Sequence, residues 1–134
     1  MRLFIDSNIP MYVAGTEHPN REPAVRLLES VRARRVEACT STEVLQEILY
    51  RYSAIGRLDL AKSVYDLFVQ VVHEIFDVTL ADTDLARDLL TTTSGLSARD
   101  AVHAAVMLNH EVTSIATFDR GFERVGRLTI HALR

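Results

Sequence analysis

The stretch LFIDSNIPMY, residues 3–12, runs an apolar segment into an acid, Asp6, then Ser7 and Asn8, then more apolar residues. Its first half reads as a buried strand. Its second half reads as a short helix from Asn8 to Ala14, with Pro10 accommodated in the first turn. A carboxylate at the end of a buried strand is costly unless something pairs with it. Asp6 is therefore either a helix cap or part of a site, and the rest of the chain has to decide which.

Outward from this stretch, strand and helix patterns alternate. RLFID (2–6) is the first strand. Residues 23–34 carry a helical stripe of Val25, Leu27, Leu28 and Val31. Strand 36–41 follows, then helix 41–56 with Gly56 at its C-cap. Helix 58–72 is apolar almost all round, from Leu58, Leu60 and Ala61 to Phe68, Val71 and Val72. Such a helix calls for cover on more than one side, so a partner groove is expected here together with helix 41–56. Strand 74–79, helix 82–93, helix 97–111, strand 113–119 and an edge strand over 128–133 complete the pattern. Strands separated by helices imply βαβ units with right-handed crossovers. The fold class is α/β, a central parallel sheet sandwiched between helices.

Composition narrows the function. A chain of 134 residues, 48% hydrophobic and 25% charged, fits one domain with a real core. Cys39 is the single cysteine; it allows no internal disulfide and reads as a buried, inert thiol. No secretory leader and no membrane-length apolar run is evident, so a cytoplasmic location is expected. The net charge of −3 argues against a constitutive nucleic-acid binder, yet 14 of the 15 basic residues are Arg and only Lys62 is Lys. Arg32, Arg34 and Arg35 sit at a helix end, where they complement the dipole.

In open parallel sheets ligands bind beyond the carboxyl ends of the strands. Asp6 ends the first strand and Asp119 ends the strand over 113–119. Glu47 lies one turn into the helix after the second strand, and Asp100 in the first turn of helix 97–111. Each has a plain structural role open to it. Asp6 can cap the first helix, Asp100 can answer Ser97 in a capping box, Glu47 can be solvated, and Asp119 can start a turn. Together they converge at one sheet end. Glu43 is set apart, as the partner of Thr40 in a capping box. Four clustered carboxylates cannot all ionise without a counter-charge. Hard oxygen ligands call for Mg²⁺ or Mn²⁺, and no cysteine–histidine set has zinc spacing. Such a site suits in-line displacement at phosphorus. A phosphoacceptor module would need an acidic pair after the first strand and a late lysine, and neither is present.

The segments LFIDSN (3–8), TSTEVLQEIL (40–49), LSARDAVHAAVML (96–108) and IATFDRGF (115–122) resemble, in order and spacing, the acidic motifs of the PIN-domain ribonucleases. The resemblance covers residues 3 to about 125. It implies a PIN-like fold over 1–134 and a metal-dependent endoribonuclease, the toxin of a VapBC-type pair acting on tRNA or rRNA. By it, Asp6, Glu47, Asp100 and Asp119 would hold the metal and carry catalysis, with Ser7, Asn8 and Thr117 beside them. It also implies a homodimer and a VapB-like antitoxin. A non-catalytic RNA-binding member would have lost one or more acids, and all four are here. Arg99 and Arg120 flank site acids and are candidate RNA contacts. His103, one turn past Asp100, either packs or supports the site.

Overall fold

The computed structural model describes residues 2–134. Five strands, β1 (Arg2–Ile5), β2 (Glu37–Ser41), β3 (Glu74–Phe76), β4 (Ser114–Ala116) and β5 (Thr129–Ile130), form one sheet in the order β3-β2-β1-β4-β5. Every pairing is parallel; Phe4 lies beside Cys39 of β2 and Ile115 of β4. Helices α1 (Asn8–Ala14), α2 (Arg21–Arg32), α3 (Thr42–Ala54) and α4 (Leu58–Val71) fill the connections from β1 to β3. Helices α5 (Leu80–Thr92) and α6 (Ala98–Asn109) make the return to β4. The first crossovers travel one way across the sheet and the last travels back. Right-handed connections then put α1–α4 on one face and α5–α6 on the other. The direction reverses between β1 and β4, the place where such sheets open a crevice at their carboxyl ends.

The core explains why these segments fold as they do. Phe4, Ile5, Cys39 and Ile115 are fully buried between the layers, and Ala101, Ala104 and Ala105 let α6 lie close on the sheet. Burial pushes the Cys39 thiol up to about 12, the inert state expected of it.

Several boundaries differ from the sequence reading. Helix α2 begins at Arg21 rather than Pro23. Helix α5 begins at Leu80 because Thr79 and Asp82 form a full capping box, so strand β3 ends at Phe76. Strand β4 ends at Ala116, and Asp119 instead caps a short 3-10 helix over Arg120–Arg124, its Oδ1 accepting the Gly121 N–H at 2.8 Å. The box assigned to Thr40 and Glu43 does not form. Ser41 is the N-cap of α3, while Thr40 donates to the Ile5 carbonyl at 2.9 Å and ties β2 to β1.

Helix α4 also departs from expectation. Its buried stripe is Ala61, Val64, Phe68 and Val71, and Phe68 is fully enclosed. Phe68 is therefore core and not part of an exposed patch; the large apolar side chains exposed on this helix pair are Leu49 and Tyr50 of α3 and Leu58 and Val69 of α4, with Ile55 at the turn between them. Leu67 and Val71 join Val13, Val25 and Leu28 in an apolar cleft of about 140 Å³ between α1, α2 and α4. Phe68→Ala should lower stability by about 3–5 kcal/mol. A urea midpoint equal to wild type would show that α4 is not the cover of this core.

Candidate metal centre at the sheet's carboxyl end

A recess of about 220 Å³ opens beyond β1 and β4 and is lined by Asp6, Glu47, Asp100 and Asp119, with Ser7, Asn8, Tyr12, Arg51, Arg99 and Phe118. All four acids of the sequence reading meet here. So do Ser7 and Asn8, and Thr117 reaches Asp6 from behind. Arg99 is present. Arg120 is not: it is exposed and pairs with Glu123. Three contributors were missed, Arg51, Tyr12 and Phe118. Arg51 lies at i+4 from Glu47, a spacing that places both on one helix face. Tyr12 lies one turn on from Asn8 along α1.

Asp6 is fixed by short local bonds. Its Oδ1 accepts the Ser7 N–H and its Oδ2 accepts the Thr117 hydroxyl, both at 2.7 Å. Asn8 donates to Thr117 Oγ1 at 3.1 Å and accepts from the Phe118 N–H at 3.4 Å, locking the β1 and β4 loops together. Burial pushes the Asp6 pKa up, and the neighbouring Glu47 adds to this; His103 and the Thr117 bond only partly offset it. Asp6 does not cap α1, since Ser7 holds that position.

Glu47 shows the opposite balance. Burial pulls its pKa up, but the bonds from His103 and Ser7 and the charges of His103 and Arg99 outweigh it, so the net shift is downward. Its two oxygens divide the work. Oε1 accepts from Ser7 at 2.9 Å and lies 3.4 Å from His103 Nε2. Oε2 pairs with Arg99 at 2.9 Å and with Arg51 at 3.5 Å. His103 is 1% exposed, lies 3.9 Å from Asp6, and has no partner for Nδ1 among the described residues. Burial lowers its pKa, but the Glu47 bond and the nearby acids more than reverse this. Asp6, Glu47 and His103 offer ligand atoms within 4.8 Å of one another.

Asp100 carries the unbalanced charge. Burial, then the charges of Asp119 and Asp6, push its pKa up to about 6. Ser97 caps α6 through the Asp100 N–H at 3.1 Å, which leaves the carboxylate itself aimed at the recess beside Asp119. Gly121 stands against both: an added Cβ would come within 2.9 Å of Asp100 Oδ2 and 3.1 Å of Asp119 Oδ1. Glu47 thus has its own cations, whereas Asp6, Asp100 and Asp119 repel one another across a gap that only glycine leaves open. The donor set is hard oxygen throughout that gap, and it fits a divalent cation such as Mg²⁺ or Mn²⁺. Gly121→Ala should cost about tenfold or more in Mn²⁺ affinity, with the fold intact. Unchanged affinity in a titration followed by electron paramagnetic resonance would place the cation elsewhere.

Comparison with known proteins agrees with the fold. The chain is 45% identical over 121 residues to Ribonuclease VapC13 of Mycobacterium tuberculosis, spanning 90% of this chain and 92% of that protein. The solved structure of M. tuberculosis VapC20, described as a sarcin-ricin loop cleaving toxin, superposes with a TM-score of 0.78 at 21% identity, over 92% of this chain and 95% of that one. The toxin–antitoxin complex VapBC2 of Rickettsia felis, solved bound to a promoter DNA fragment, gives a TM-score of 0.74 at 20% identity over the full length of both chains. Residues 3–128 match the PIN domain family, and the chain belongs to it.

Proposed function

We propose that this chain is a divalent-metal-dependent endoribonuclease, the toxin of a type II toxin–antitoxin pair, working on tRNA or rRNA as a single domain. The observation that carries this is the crowding of Asp100 and Asp119 against Gly121, with the charge of Asp6 also felt at Asp100, whose pKa is pushed up to about 6, a repulsion that a bound cation would relieve. Likeness to proteins named as VapC ribonucleases supports the RNA substrate. Likeness to VapBC complexes supports a VapB-like antitoxin as partner, and a homodimer in the cytoplasm completes the reading. No helix among the described residues is long and apolar enough to cross a membrane.

Asp6, Asp100 and Asp119, with Glu47 beside Asp6, would hold Mg²⁺ or Mn²⁺. When bound, the cation would lower the pKa of an attacking water and offset charge on the phosphoryl oxygens. The chain's own groups set the geometry. Thr117 and Ser7 fix the two oxygens of Asp6, Asn8 fixes Thr117, and the Gly121 N–H fixes Asp119. No histidine is needed as a general base, since the one nearby is enclosed against Glu47. Purified protein should cut total RNA in Mg²⁺, stop in excess chelator, and recover with Mn²⁺. Cutting that survives the chelator, or no cutting with either ion, would overturn the proposal.

A further inference from the structure

The recess has two unlike lips. On one, Arg51 of α3 and Arg99 of α6 converge on the same oxygen of Glu47 while their side chains remain 46% and 44% exposed. One buried carboxylate does not need two guanidinium groups and an imidazole to balance it. The excess is positive charge held at fixed positions beside three aspartates. On the other lip, Tyr12 of α1 meets Phe118 edge to face, ring centres 5.2 Å apart at 78°, and His18 packs 4.8 Å from Tyr12. Tyr12 and Phe118 are half-buried, so each leaves part of its ring open to the recess. A continuous chain of hydrogen bonds runs between the lips, from Glu47 through Ser7, Asp6, Thr117 and Asn8 to the Phe118 N–H. The cation seat lies between them.

We propose that, of the RNA entering this recess, Arg51 and Arg99 grip one backbone phosphate and the Tyr12–Phe118 pair takes one unstacked base. This rests on the ribonuclease reading and adds the residues that grip the RNA. Two arginine forks held in place by a shared carboxylate match the oxygens of a phosphate and lose little freedom on binding it. An aromatic lip accepts any base whose face is free, which a duplex does not supply. Glu47 is on this account a positioning residue for both arginines, through Oε2, while Oε1 accepts from the Ser7 hydroxyl.

The test uses the full chain carrying Asp100→Asn, so that RNA is bound but not cut. The probe is a short fluorescein-labelled oligoribonucleotide, single-stranded or annealed to its complement. A second copy carries 2-aminopurine, whose fluorescence is quenched on stacking. The single strand should bind more tightly than the duplex. Arg51→Gln should weaken binding about tenfold. It should also make the salt dependence shallower by about 0.7 in log–log slope, one phosphate contact. Phe118→Leu should weaken binding about tenfold without changing that slope, and should abolish the quench, which Phe118→Tyr restores. A purely structural role for these side chains would alter folding, read by circular dichroism, and leave slope and quench alone. Duplex bound as tightly as the single strand overturns the proposal, as does an unchanged slope in Arg51→Gln or an unchanged quench in Phe118→Leu. If the wild-type chain neither cuts nor binds RNA, the ribonuclease reading fails and takes this one with it. If the wild type cuts and the variants match it, only the gripping residues are wrong.

Discussion

Asp100→Asn should give a folded protein that no longer cuts RNA. A hard cation at a phosphoryl centre is worth several kcal/mol in the transition state, and losing one of its carboxylates should cost about 10³-fold or more in rate. The same substitution should make the cation-free protein more stable at neutral pH. The sign follows from the raised pKa. The native state binds the Asp100 proton more tightly than the unfolded chain, whose carboxyl titrates near 3.8, so raising the pH from there to about 6 removes stability. Asn has no proton to lose. In chelator the variant should exceed wild type by on the order of 1 kcal/mol above pH 6, and the gap should close toward pH 4. Adding Mg²⁺ should raise the melting temperature of wild type and leave the variant nearly unmoved. Equal shifts in both proteins, or cleavage at the wild-type rate, would remove Asp100 from the metal centre.

Glu47→Gln and Glu43→Gln, one helical turn apart, should part company. At Glu47 the amide turns an N–H₂ toward at least one of the donors it now faces, and Arg51, Arg99 and His103 lose their counter-charge. Breaking a buried ion pair by removing one partner costs about 3–5 kcal/mol, and the arginines come adrift from the recess. Cleavage should fall about 10²-fold, the scale of losing an oriented electrostatic contact. Glu43 is half-exposed in the first turn of α3, and its amide variant should stay within about 0.5 kcal/mol of wild type and keep its activity. Paired measurements of thermal stability and RNA cleavage distinguish the two; a reversed outcome would mean that the second acid had been read in the wrong register.

The features legible in the sequence were those with a period or a cost. The helices announced themselves by their stripes, and Asp6 by the expense of an acid at the end of a buried strand. The choice of Glu47 over Glu43 came from the family's spacing. What was misread lies mostly where short-range chemistry competes. Thr40 and Ser41 are adjacent hydroxyls, and only the pairing of β2 with β1 decides that Thr40 bonds Ile5 and Ser41 caps α3. Thr79 with Asp82 was a capping box that the run of β-forming residues before it concealed. The apolar circumference of α4 was visible, but which residues it buries depends on α1, α2 and α3 packing against it. The arginines also divided on a tertiary fact. Arg99 and Arg120 each flank a site acid, yet only Arg99 finds Glu47 across the recess.

The acids sit at positions 6, 47, 100 and 119, and the bonds that orient the first of them come from Thr117. Nothing near the start of the chain can therefore assemble the site. A ribosome making this protein releases β1 and α3 early, but Asp6 has no Thr117 to hold it until β4 and the residue after it have emerged. Domains settle as whole units during synthesis, from the N-terminus onward. On the proposed function, the growing polypeptide would thus stay inert toward RNA until the loop after β4 reaches Asp6.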